Sequence, residues 1–198
     1  MLKRTLHDLF DRPAVFDAYQ LLVDGGKGRR IRAFLRDVPY ASVLDIGCGT
    51  GNWATTARGR YLGVDISIRF VEAARARYAH DPRKQFEVID PAGRDVPGRF
   101  DLVQMVSVLH HLSDEEVRDV LQRVMRRGRY LFVLDLYPIR WHPLSRLLYA
   151  ADRGDFIRGP AEQERLIREA ANLRLLKRGD FFAPTTLYRH TLFLFERT

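Results

Sequence analysis

A chain of 198 residues, 46% hydrophobic and 11% aromatic, is the size of one globular domain and should bury roughly 70% of its unfolded surface. Its one cysteine excludes an internal disulfide, no Cys/His grouping has zinc-ligand spacing, and no run of about 18 apolar residues could cross a bilayer. The net charge of +8 raises polyanions as partners, but the arginines are scattered; the densest groups are Lys27-Gly28-Arg29-Arg30 with Arg32, and Arg123, Arg126, Arg127 with Arg129.

In chain order, residues 3–37 predict two or three helices. Leu6, Leu9 and Phe10 share one helical face, as do Phe16, Tyr19, Leu22 and Val23, and Gly25-Gly26 breaks the pattern before Ile31, Phe34 and Leu35. The N-terminus carries charges where a secretory signal needs an apolar stretch, so the expected location is cytoplasmic. A buried strand follows at 42–46, then a helix opening at Asn52 over about 52–58, a strand at 60–64, and a helix over 68–79 capped by Ser67. The next strand is 85–89. Residues 90–99 hold two prolines and two glycines, which argues against a helix there; ten extended residues still cover roughly 33 Å. A strand at 100–106 leads to a helix that begins at Ser113-Asp114-Glu115-Glu116 and ends near Arg127, then a strand at 129–136. Short helices at 143–152 and 160–171 precede two closing strands, 173–182 and 187–196.

The most informative stretch is Val43 to Gly51, VLDIGCGTG. An apolar strand ends in Gly47, Gly49 and Gly51, alternating with Cys48 and Thr50; such a loop turns sharply and lets backbone N–H groups approach a ligand closely. Asp65 ends the second strand 14 residues past Gly51, where dinucleotide folds place a ribose-binding acid about 20 residues on. The loop departs from GxGxxG, since its third glycine comes one residue early. Asp45, just before the turn, would repel a pyrophosphate but suits an ammonium or sulfonium ligand.

VLDIGCGTG, YLGVD at 61–65, FEVID at 86–90 and FDLVQMVSVLHHL at 100–112 together resemble the class I S-adenosylmethionine (SAM) methyltransferases, in family order over residues 42–136. The resemblance implies an α/β fold: a Rossmann-like seven-stranded mixed sheet, order 3-2-1-4-5-7-6, in one domain. Residues 1–40 would form a helical lid, 41–136 the cofactor core, 137–171 a substrate-side insertion and 172–198 the closing hairpin. It also implies SAM as cofactor, S-adenosylhomocysteine (SAH) as product, and no metal. By resemblance Gly47, Cys48, Gly49 and Gly51 cradle SAM, Asp45 organises its methionine end, Asp65 accepts from the ribose and Ile66 lies against the adenine. Asp90 would accept from the adenine amine, Met105 and Val106 border the sulfonium portion, and Tyr19 reaches the cofactor. Some relatives use a histidine pair and an acid after the fifth strand at the methyl acceptor. His110, His111 and Asp135 occupy those places, with either histidine as base.

The expected acceptor is a small molecule with an oxygen nucleophile, bound between the N-terminal helices and the 137–160 segment. There Phe10, Phe16, Tyr19, Tyr137, Trp141, Tyr149 and Phe156 supply aromatic surface, and Arg140, Arg153 and Arg158 could hold an anion or form loop ion pairs. A lipid or quinone with peripheral membrane contact, an RNA or protein substrate, and SAM binding without transfer are the alternatives. Nucleic-acid N-methylation is not expected, because Gln104-Met105-Val106-Ser107 is not the Asn/Asp-Pro-Pro-aromatic motif of such enzymes.

Overall fold

The computed structural model describes residues 12–23, 26–138, 156–183 and 188–198, with the backbone alone for 19–23 and 138. Two helices, α1 (Pro13–Val23) and α2 (Lys27–Phe34), lead into an alternating core: β1 (Ser42–Ile46), β2 (Arg60–Asp65), α3 (Ile68–Arg77), β3 (Lys84–Val88), β4 (Phe100–Val106), α4 (Asp114–Val124) and β5 (Gly128–Pro138). Helix α5 (Pro160–Ala171) and the antiparallel strands β6 (Leu173–Ala183) and β7 (Tyr188–Arg197) close the chain. The seven strands run in the order β3-β2-β1-β4-β5-β7-β6, as expected. The expected helix at 143–152, Phe10, Arg140, Trp141, Tyr149, Arg153 and the Tyr19 side chain lie outside the described residues.

Strand alternation splits the interior in two. Leu44 and Ile46 of β1 face Val117, Val120 and Leu121 of α4 and Leu166 and Ile167 of α5. Val43 faces the other core, with Ile31 of α2, Leu35 just past its end, and Val71 and Ala74 of α3. Both faces of the parallel strands are therefore covered, which is why those strands read as near-continuous apolar runs.

Two local signals are borne out in detail. Ser67 caps α3, its side chain accepting from Phe70 N. Ser113 and Glu116 form a reciprocal capping box at the start of α4, and Asp114 and Glu115 add negative charge to its first turn. The 90–99 segment forms no helix.

The expected helix over 52–58 is corrected to one 3-10 turn, Ala54–Thr56. Thr56 Oγ1 turns back onto Trp53 O at 2.6 Å, a local bond that competes with helix propagation. At Gly59 any Cβ would meet Ala41 O at 2.4 Å, so the chain is already committed to entering β2. A turn this short has no aligned macrodipole to offer a ligand; whatever the loop offers comes from its own N–H groups.

Candidate active site

The loop after β1 and the carboxyl ends of β2, β4 and β5 meet at one edge of the sheet. Gly47, Gly49 and Gly51 all have positive φ (67°, 54° and 78°). At Gly47 a Cβ would sit 2.7 Å from Val108 Cγ2, so the position excludes a side chain on two grounds. Gly47 N and Cys48 N both bond to Val64 O, at 2.9 and 3.1 Å, which ties the loop to β2.

Asp65 is the hinge of this edge. Its Oδ2 accepts from Gly49 N and its Oδ1 from Ser67 N, both at 2.9 Å. Burial raises its pKa, and the N–H groups of Ser67, Gly49 and Ile66 pull it back. A carboxylate has about four lone-pair sites, so acceptor capacity remains for hydroxyl donors. Beside it Ile66 is 74% exposed and Ile68 58%, an apolar pair left in solvent at the mouth of a polar loop.

Asp90 is exposed and closes a turn, its Oδ1 accepting from Ala92 N at 3.0 Å.

Other expected residues lie deeper than the sequence reading placed them. The Cys48 side chain is buried beneath the loop, and burial pushes its thiol up. Its sulfur explains why Gly63 follows in β2, where a Cβ would lie 2.9 Å from Cys48 Sγ. Met105 and Val106 are also enclosed, one in each core, because strand alternation sends their side chains into the two faces rather than to the edge. The residue at the edge is Ser107, with φ 58° and a buried, unpartnered Oγ. A serine held in a left-handed conformation is a strain signal that sequence could not show.

Asp45 is 1% exposed and points beneath the loop. Its Oδ2 accepts from the Tyr61 hydroxyl at 2.5 Å, and Oδ1 has no hydrogen-bond partner. Gln104, its neighbour in register on β4, has its Oε1 3.3 Å from Thr56 Oγ1. Burial pushes the Asp45 carboxyl up to about 7, against the opposing pull of Tyr61 and Gln104. Tyr61, Gln104 and Thr56 were not singled out from sequence; Tyr61 and Gln104 show only as isolated polar letters in apolar strands, and Thr56 lies in the short turn between β1 and β2.

At the β4–β5 end, Asp135 is fully buried and receives three N–H groups. His110 Nδ1 lies 2.6 Å from Oδ1, His110 N donates to Oδ2 at 2.9 Å, and Leu136 N donates to Oδ1 at 2.7 Å. Burial alone would raise this acid; the His110 ring, the Leu136 N–H and the His111 charge outweigh it and hold the carboxyl below its usual range. His110 is 4% exposed, while His111 is exposed with its ring 4.0 Å from that of His110. An ionised Asp135 can only accept, so the neutral His110 ring carries its proton on Nδ1 and its lone pair on Nε2.

Arg158 is spent on structure. Buried to 5% exposure, it donates to Leu109 O at 3.0 Å, Leu112 O at 2.7 Å and Asp114 Oδ1 at 2.8 Å. Phe156 N adds a bond to His110 O at 3.1 Å. The chain entering α5 is thus clamped onto the histidine turn, and Phe156 is exposed rather than enclosed. Tyr137 is half-buried, its hydroxyl at the limit of hydrogen bonding to Asp180.

From the N-terminal side, Phe16 lies over the loop: a Cβ on Gly49 would be 3.1 Å from its ring, which packs 4.8 Å from Phe70. Asp17 accepts from Thr50 Oγ1, from Arg77 and, at 3.3 Å, from Asn52 Nδ2. Asp17 and Arg77 escaped sequence reasoning, since a single charge pair 60 residues apart leaves no pattern.

A family model for a methyltransferase domain matches residues 44–128. The chain is 31% identical over 140 residues to a probable tRNA methyltransferase 9B of Mus musculus, covering 66% of this chain and 29% of that protein. It is 33% identical over 91 residues to a trans-aconitate 2-methyltransferase of Deinococcus radiodurans, covering 43% and 34%. It therefore spans about a third of the length of these two relatives. The crystal structure of magnesium protoporphyrin IX methyltransferase from Synechocystis PCC 6803 superposes with a TM-score of 0.72 at 18% identity, over 99% of this chain and 100% of that one, a likeness of fold. Motif order, sheet order and the matched domain agree on a methyltransferase domain of the class I SAM-dependent type over residues 44–128.

Proposed function

We propose that the protein transfers a methyl group from SAM to an oxygen nucleophile on a small molecule, with His110 as base. The observation that carries this reading is the buried His110–Asp135 pair, 2.6 Å apart, at the same sheet edge as the glycine loop.

The described residues fit the cofactor. Asp65 has acceptor capacity left for a ribose diol, Ile66 offers an exposed apolar face for a base, and the loop admits no side chain at Gly47. Asp90 keeps one carboxylate oxygen outside its turn bond for the adenine amine. Phe16 and the Asp17–Thr50 contact cover the loop from α1. Bound SAM supplies a methyl group on a cationic sulfur. Asp135 keeps Nδ1–H of His110 pointed at itself, so Nε2 takes the acceptor's hydroxyl proton as the oxygen becomes a nucleophile. Asp135 also balances the imidazolium that results. The enclosure of His110 favours a small reacting group, as does the trans-aconitate relative.

The test is incubation with methyl-labelled SAM and a cell extract, with label counted in small-molecule, RNA and protein fractions. Label in organic or aqueous metabolites that is stable to mild base supports the reading, methyl esters being assayed separately by their release. Label in RNA, which the tRNA methyltransferase likeness would favour, overturns the small-molecule acceptor. Binding of SAM with no label in any fraction would identify a binding domain instead.

A further inference from the structure

A third buried histidine, on the α2 face of the sheet and at the end that carries the His110–Asp135 pair, is not used by the proposed mechanism. His190 of β7 pairs in register with Leu136 of β5, one position beyond the Asp135–Thr191 pair, so it lies at the same end of the sheet. It is 1% exposed and stacks flat on Phe181, with centroids 4.8 Å apart and planes 7° from parallel. The Arg30 guanidinium lies 4.5 Å from the centre of that same Phe181 ring. Neither ring nitrogen of His190 has a hydrogen-bond partner.

Packing does not explain this residue. A phenylalanine or leucine would fill the space against Phe181 without burying two unsatisfied polar atoms, which cost about 1–3 kcal/mol each. Natural chains keep such atoms where a water, an ion or a ligand meets them. The surroundings select the ligand's charge. Lys27, at the start of α2, is 3% exposed, and its charge and that of Arg30 both act on His190, with Asp135 opposing. Burial first, then Lys27, push the His190 imidazole down to about 3. At neutral pH the ring is uncharged, offering one N–H and one lone pair. It is therefore a poor proton acceptor and a serviceable donor.

Resting on the methyl-transfer reading, we propose that His190 and Lys27 form the acceptor's recognition subsite and that the methyl acceptor carries a carboxylate. The His190 N–H donates to a carboxylate oxygen, and Lys27 supplies the balancing charge. The two residues are specificity determinants and take no part in proton transfer.

The test uses the full chain saturated with SAH, and acetate, benzoate and octanoate as probes, each compared with its neutral amide. Imidazole carbons are labelled for NMR, and the His190 signal is identified by its loss in His190→Gln or, should that variant not fold, by through-bond assignment in the wild type. The carboxylates shift the His190 signal and the amides do not. Lys27→Met, on a helix outside the sheet, weakens the carboxylate response about ten-fold and leaves SAH affinity within about two-fold. With SAH bound, a His190 signal unmoved by all three carboxylates, or moved equally by the amides, overturns this assignment and leaves methyl transfer standing. Failure of SAH to bind overturns the methyl-transfer reading and this assignment with it.

Discussion

Asp45 and Asp135 are both buried acids, on β1 and β5 with only β4 between them, and their surroundings treat them in opposite ways. Asp45 meets a phenol hydroxyl and an amide, with no counter-charge, and burial lifts it to about 7. Asp135 meets an imidazole and two backbone N–H groups and is held below its usual range. Burial is common to both, so burial alone does not mark the chemistry; the partner does. One carboxylate organises strands beneath a loop, and the other is paired with an imidazole, as the proposed proton transfer requires.

The largest expected effect lies on the cofactor side, where Asp65→Ala removes two charge-assisted acceptors and weakens SAH binding by roughly 3–6 kcal/mol. Calorimetry reads this directly, and undiminished affinity would detach Asp65 from the cofactor. On the other side of the comparison, Asp135→Asn no longer enforces the His110 tautomer and lowers turnover by roughly 10²–10⁴-fold. SAH affinity is unchanged in that variant. Loss of both together would mean Asp135 serves the fold rather than the chemistry.

The pH dependence sharpens the contrast further. A folded value near 7 for Asp45, against 3.8 unfolded, means its contribution is fully present below 3.8 and fades as pH rises to about 7. The total loss is about 4 kcal/mol. Asp135 works the other way: its contribution is present above the unfolded value and fades as pH falls. Urea denaturation of Asp45→Asn between pH 5 and 8 should therefore lose the downward slope of the wild type. Parallel profiles would contradict the buried, rising carboxyl.

Smaller effects follow from the clamp and the cover. Arg158→Met leaves the Leu109 and Leu112 carbonyls without their buried donor and costs about 3 kcal/mol of stability. The histidine turn loosens with it, which lowers turnover more than SAH affinity. Asp17→Asn, at a partly exposed ion pair, should weaken SAH binding by only about 1 kcal/mol. An effect as large as that of Asp65→Ala would make α1 part of the binding site itself.

The cofactor half was legible because it is local. Four short motifs, each a strand with its following turn, can be read from consecutive letters, and strand order follows from the alternation of elements. The helix expected after Gly51 failed for a local reason too, the Thr56 side chain competing for Trp53 O. The proposed acceptor side depends on distant pairings. Asp135 and His110, 25 residues apart, were brought together only by the family resemblance; Arg158 and Leu109 are 49 apart, and His190 meets Leu136 only through an antiparallel register. No spacing rule links such residues before the sheet is assembled. Met105 and Val106 show the converse limit: their motif identifies the strand, and the pleat then turns both side chains away from the edge.

The most direct test of the account is calorimetric titration of the purified protein with SAH, beside Asp65→Ala under the same conditions. The account predicts one site per chain in the wild type, with binding lost or strongly weakened in the variant. A folded, ligand-free wild-type protein that gives no heat with SAH would contradict it.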